Sequence, residues 1–333
     1  MGGFAQKQRG FLKKLRLYLK TSAPPEQVLE AYREMRISGE SLPVQQSTIH
    51  ISHSVADIAI KHPAPQYELL VALRAFIEKY LSDDITTFLV HGSFATADFV
   101  DGWSDLDTLV IVRDEVFQSV ERLERFKKYF SRAAFVCYQI DPLAHHELVA
   151  VSVYDIAHYP QTLFPMPVFQ NAAVLTGAAD VPFALRDDAA ERMLVLREFR
   201  SRFMEKVSKN TYSTTAIDWK NDLACALLLP ALALQAKGEF VYKRESFTLA
   251  KERFPDLDWS CIDEASAIRR DWRAHSLMQR TPVLWVLQGL IPRSLFKKLL
   301  FPVCHRQPRQ SPEDIARLTR AFLELSDAIL EMA

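Results

Sequence analysis

The chain is poor in glycine, with nine in 333 residues, and none falls in a Gly-x-Gly-x-x-Gly run or ahead of a Lys-Ser pair. Phosphate loops of the Walker and dinucleotide-binding kinds are thereby excluded, since both need grouped glycines to bring backbone amides onto phosphate oxygens. Cysteine is scarcer still. Cys137, Cys225, Cys261 and Cys304 lie scattered without paired spacing, which argues against a disulfide framework and for a reducing compartment. No apolar run approaches the roughly 18 residues of a spanning helix. The opening Met1-Gly2-Gly3-Phe4-Ala5-Gln6 lacks the apolar core of a secretory signal, and Gln6 stands where a myristoylation signal carries Ser or Thr. A cytoplasmic protein is expected. Net charge is missing too: 41 Lys and Arg balance 41 Asp and Glu, so bulk charge gives no reason to expect non-specific nucleic-acid binding.

What remains is ordinary globular material, 49% hydrophobic and 25% charged, long enough for two domains. Residues 4–37 read as a helical appendage with a basic segment at 9–20 and a break at Pro24-Pro25. Residues 66–81 carry Leu69, Leu70, Leu73, Phe76, Ile77 and Tyr80 at helical spacing. A strand at 86–90, a turn at Gly92-Ser93, a helix starting at Phe94 and a strand through Asp105 follow. Residues 114–131 read as a surface helix. Residues 133–140 and 147–154 read as strands, and the short link through Pro142 suggests an antiparallel pair. From residue 187 the pattern is helical, with expected helices at 190–207, 217–237, 247–254, 262–275 and 312–332, the second interrupted at Pro230 and stopped by Gly238. The expected class is α+β: a small mixed β-sheet domain followed by an α-helical bundle. The expected division is 1–65, 66–180 and 187–333.

One stretch declares chemistry. Eleven residues separate Ser93 from Asp105, and Asp105-Leu106-Asp107 runs into Thr108-Leu109-Val110-Ile111-Val112. Alternation along a strand puts Asp105 and Asp107 on one face. Two acids side by side repel, and burying them in an apolar strand costs free energy without a partner. A divalent metal carrying a nucleotide's phosphates is the economical partner. Phosphoryl and nucleotidyl transfer require an aligned nucleophile and cations that absorb charge, and a third acid to orient the attacking group's proton. Glu147, at the start of a later strand and after His145-His146, is the first choice; Asp141, at a turn before Pro142, competes with it, and Asp155 follows its strand in the same manner.

Gly92-Ser93, the spacing, Asp105-Leu106-Asp107 and an acid opening a later strand together resemble the DNA polymerase beta-like nucleotidyltransferase superfamily over roughly residues 85–155. The resemblance implies that Gly92 and Ser93 bind the nucleotide phosphates and that Asp105 and Asp107 hold two Mg2+ ions. It further implies that Glu147, where many members have Asp, binds the catalytic ion and helps activate an acceptor hydroxyl. Helix-start amides suit phosphate. ATP is the implied donor. A looser likeness joins Asn221, Gly238, Lys243-Arg244-Glu245-Ser246 and Pro255 to the helical domain of aminoglycoside adenylyltransferases, and it implies that Lys243 touches the triphosphate. The alternative for Lys243 is a solvated charge at a helix start. The function so implied is transfer of a nucleoside monophosphate from an NTP to an acceptor with release of pyrophosphate. A small-molecule acceptor is favoured over RNA or protein, because no nucleic-acid module is recognisable. A nucleotide-binding sensor or scaffold without turnover is the alternative.

His50 and His53 fit no pattern, and His145-His146 read as hydrogen-bonded loop histidines. The basic apolar segments 9–20 and 280–306 suit either packing on a neighbouring domain or peripheral contact with an anionic membrane.

Overall fold

The structure, a computed structural model, describes residues 2–38, 44–61, 64–97, 99–100, 103–140, 147–272 and 307–333. Two helices, α1 (Gly2–Lys20) and α2 (Pro25–Ser38), open the chain. β1 (Gln45–His50), β2 (His53–Ser54), α3 (Val55–Lys61) and α4 (Pro65–Tyr80) lead to β3 (Ile85–His91), the one-turn helix α5 (Ser93–Thr96) and β4 (Asp107–Val112). After a 3-10 turn at Asp114–Phe117 come α6 (Val120–Ala133), α7 (Phe135–Ile140), β5 (Ala150–Ser152) and α8 (Val153–Ile156). β6 (Tyr159–Pro160), α9 (Met166–Gln170), β7 (Ala173–Gly177) and β8 (Asp180–Arg186) complete the mixed part. The described elements beyond it are helices: α10 (Ala189–Ser208), α11 (Ala216–Ala226), α12 (Leu229–Ala236), α13 (Lys243–Arg253), α14 (Ser260–Arg270) and α15 (Pro312–Met332).

The protein is thus mixed α+β with small mixed sheets. One sheet has the order β2-β7-β3-β4-β5 and the other β1-β8-β6. β3 and β4 lie at the centre of the first, antiparallel, with His91 opposite Asp107. Their apolar runs are continuous because both faces are covered. Phe88, Val90, Val110 and Val112 turn to a core shared with the helices α1, α2, α4, α6 and α7. Leu89, Leu109, Ile111 and Val151 turn to a second core, where Tyr159, Val181, Phe183 and Leu185 of the smaller sheet close over them.

Two expectations fail here. Residues 133–140 are not a strand: α6 ends at Ala133 and α7 occupies Phe135–Ile140. An apolar run buried on all sides carries no periodicity that separates a strand from a helix, and its aromatic and β-branched residues tipped the reading towards a strand. The antiparallel pair falls with it. β5 is three residues long and runs parallel to β4, pairing Val110 with Ala150.

α1 is no loose appendage. Phe4, Phe11, Leu15, Tyr18 and Leu19 are buried in the helix-covered core. At about 1.5–3 kcal/mol for each large side chain removed from water, they tie α1 into the unit far more firmly than a surface ion pair would. The apolar face of the basic segment 9–20 is therefore spent inward. Deeper in, Gln8 is fully buried; its Nε2 donates to Asp155 Oδ1 at 3.0 Å and its Oε1 accepts from Arg186 Nη2 at 3.0 Å. Arg186 in turn donates to Glu191 at 2.6 Å. The Gln8 amide is thereby satisfied at both its nitrogen and its oxygen, as burial requires, while the Arg186 Nε stays without a hydrogen-bond partner.

The helical part has its own core around Leu196, Phe203, Trp219, Leu223, Ile262, Leu318 and Phe322. The expected single helix over 217–237 is two helices, because Pro230 lies in the first turn of α12, where its missing N–H costs nothing. Gly238, at φ +84, ends α12 in a conformation that favours glycine. α10 starts on Asp188, whose carboxylate accepts from the Ala190 and Glu191 amides. No helix among the described residues is long and apolar enough to cross a membrane.

Candidate active site

β3 delivers the chain to a tight turn. Gly92 has φ +66 and ψ −151, a combination an L side chain rarely adopts, and the turn opens α5 as Ala95 and Thr96 donate to the Gly92 carbonyl at 3.1 and 3.2 Å. Tyr67 of α4 holds the turn from below: its buried hydroxyl donates to the Phe94 carbonyl at 2.8 Å. Phe94 stacks on Phe99 at 5.0 Å. Ser93, half-buried, is the first residue of α5. His91 is buried edge-on to Phe164 at 4.5 Å.

Asp107 meets this turn directly. A Cβ built on Gly92 would stand 2.4 Å from Asp107 Oδ2, so glycine is required twice at this position, by its backbone and by the carboxylate over it. Asp105 lies two residues ahead of β4, not within it. Its segment is fixed by Ser104, whose hydroxyl accepts the Val100 N–H at 2.9 Å, and by buried Leu106. Trp103, just before, is buried in the core of the helical part, edge-on to Trp272 at 5.2 Å, with the Lys220 ammonium 5.7 Å from its ring.

Glu147 does not begin a strand; it precedes β5 by three residues and is buried, 6% exposed. The Val110 N–H donates to the Val149 carbonyl at 2.8 Å, the bond that opens the β4–β5 ladder. Asp107 and Glu147 each stand three residues ahead of the first paired position, Val110 with Ala150. Alternation gives the face. Val149 and Val151 pack with Leu109 and Ile111, whereas Leu148 packs with Val110, so Glu147 falls on the face that carries Asp107.

Electrostatics locates the rest. Burial first, then Glu147 and Asp105, and more weakly Asp107, push the Cys137 thiol far above its ordinary range, with Lys20 opposing. One buried sulfur thus feels all three acids. Lys243, the first residue of α13, is pushed down to about 8, chiefly by burial and then by Arg269; Asp107, Asp105 and Cys225 pull the other way. Part of its surface stays open to solvent although it sits deep between the two parts. Gly92 and Asp107 are thus in contact, Asp105, Asp107 and Glu147 all act on the Cys137 sulfur, and Lys243 lies within electrostatic reach of Asp105 and Asp107. Asp141 and His145-His146 lie outside the described residues, as do Cys304 and the segment 280–306.

Among the described residues, no three side chains of His, Cys, Asp or Glu stand close enough together to hold a metal ion. That does not conflict with magnesium, which keeps several waters and binds through one or two carboxylates plus substrate phosphates rather than in an all-protein cage. Sequence reasoning missed Trp103, Lys220, Arg269 and Cys137. Burial of the charged Lys220, 1% exposed, is visible only once α11 is packed.

Compared with known protein families and with curated proteins, the chain matches none.

Proposed function

We propose that the chain is a metal-dependent nucleotidyltransferase of the polymerase beta-like kind, acting in the cytoplasm. It would transfer a nucleoside monophosphate, AMP as first choice, from an NTP to a small-molecule hydroxyl. The observation that carries this reading is the seating of the Asp107 carboxylate over Gly92, which sets an acid and a phosphate-sized turn side by side.

In this reading the acceptor oxygen bonds to the α-phosphorus while the bond to the bridging oxygen of pyrophosphate breaks, and Glu147 takes the acceptor's proton. The Gly92-Ser93 turn holds phosphate oxygens, and Lys243 offsets the negative charge gathering on the departing pyrophosphate. Asp105 and Asp107 would hold Mg2+ together with the phosphates, and the ion supplies Lewis-acid stabilisation when bound. Trp103 joins the Asp105 segment to the helical part, so the acceptor is expected between the two parts.

Pyrophosphate release from ATP, CTP, GTP or UTP with Mg2+, tested for its absence in Asp107→Asn, decides the matter. A second reading, nucleotide binding without turnover, is supported by the lack, among the described residues, of any three acids close enough together to hold a metal ion jointly. Calorimetric binding of ATP that ignores Mg2+, with no pyrophosphate formed, would favour it.

A further inference from the structure

Asp107 opens β4 and Glu147 precedes β5 by three residues; the two strands pair over three positions, Val110 with Ala150 to Val112 with Ser152, all of them beyond the acids. Between this short ladder and the acids lies a side-chain bond. Thr108 Oγ1 accepts the Val149 N–H at 3.1 Å. Thr108 follows Asp107 in sequence, and Val149 is two residues from Glu147.

Thr108 is fully buried, 0% exposed, in a strand otherwise built of Leu109, Val110, Ile111 and Val112. Valine has the same branched shape and would fill the same space, so a hydroxyl here carries a desolvation cost that only a hydrogen bond offsets. By alternation the side chain points with Val110 to the helix-covered face, away from the acids. It reaches no substrate. Its effect is confined to where the 147–149 segment lies against β4.

We propose that Thr108 is a positioning residue: its hydroxyl fixes the register of the 147–149 segment and so holds Glu147 level with Asp107. The inference rests on the site being a nucleotidyltransferase centre, where a shift of about 1 Å in a reacting group can cost on the order of a hundredfold in rate. Because the bond acts on Glu147 and not on the Gly92 turn or the acid pair, it bears on the chemical step and not on nucleotide binding.

The test compares Thr108→Val and Thr108→Ser in the full chain by two readouts. Amide hydrogen exchange at Val149 should become at least tenfold faster in Thr108→Val, with β3 and β4 still protected, and return to the wild-type rate in Thr108→Ser. Pyrophosphate release from ATP, with water as acceptor, should lose at least tenfold in kcat with KM within twofold, again restored by Ser. Unchanged exchange at Val149 overturns the proposal, as does faster exchange with unchanged kcat. Combining Thr108→Val with Glu147→Gln provides a check should the valine variant be poorly stable. Losses in kcat that fail to add support action through Glu147; additive losses overturn it. If the wild-type protein forms no pyrophosphate, the nucleotidyl-transfer reading fails, while exchange at Val149 still decides whether Thr108 fixes the segment.

Discussion

Gly92 and Asp107 occupy each other's space: the carboxylate lies 2.4 Å from the point where a Gly92 side chain would begin. The turn and the acid are one steric unit. Gly92→Ala must either move Asp107 or unwind a backbone at φ +66, and each route costs about 1–3 kcal/mol. The expected result is a thermal midpoint several degrees lower by calorimetry and pyrophosphate release reduced by about a hundredfold or more.

Replacing Asp105 and Asp107 by Asn keeps shape and removes charge. Electron paramagnetic resonance should show loss of Mn2+ binding in the presence of ATP, and Mg2+-dependent turnover should vanish, while the circular-dichroism melt stays near wild type. Retained turnover would remove the acid pair from the mechanism.

If Lys243 meets the triphosphate as proposed, nucleotide binding depends on pH. With its folded pKa at about 8 and its ordinary value at 10.5, the folded protein gives up this proton before the unfolded chain does. The stability cost of the buried charge is fully present below pH 8 and is relieved as pH rises from about 8 to 10.5, because the unfolded state binds more protons across that window. Binding runs the other way. Affinity for ATP, measured by calorimetry between pH 7 and 9.5, should fall above about pH 8, and Lys243→Met should flatten that dependence while raising the thermal midpoint at pH 7.

Trp103 belongs in sequence to the sheet part and in packing to the helical part. Trp103→Ala should destabilise by about 3–5 kcal/mol in denaturant unfolding, as large aromatic truncations in cores do. It should also lower turnover beyond what unfolding accounts for, by releasing the Asp105 segment. Trp103→Phe should recover most of the stability.

Tyr67→Phe removes the hydroxyl that supports the Gly92 turn and leaves the ring packing in place. A loss of about 0.5–1.5 kcal/mol in stability is expected. ATP KM should rise more than kcat falls, because the Phe94 carbonyl belongs to the turn and not to the acids.

Elements with a clear period or a covered face were legible in the sequence. The 66–81 helix is α4 within a residue at each end, the 86–90 strand is β3, and the 312–332 helix is α15. The turn at Gly92 was legible because glycine, serine and an apolar strand meet there. Residues 133–140 were not, since apolar residues in every direction erase the difference between periods of 2 and 3.6. Glu147 was placed on a strand that starts later, at Ala150, because the 147–149 segment runs alongside β4 on one main-chain bond at Val149 and the Thr108 hydroxyl instead of a regular ladder. Long-range partners such as Trp103 with Trp272, or Arg269 with Lys243, leave no local trace in sequence and emerge only from packing.

The buried hydrogen bonds of Gln8 reach residues 147 and 178 positions further along the chain. On a ribosome adding about 5–20 residues per second, the first helix therefore emerges roughly ten to thirty-five seconds before Arg186 is even made. Phe11 meets Tyr32 and Phe117 well before that, so the apolar face of α1 is covered while its buried amide still waits for Arg186. The packing of α1 is therefore completed in two steps, its apolar face against the neighbouring helices and its Gln8 amide only once the smaller sheet exists.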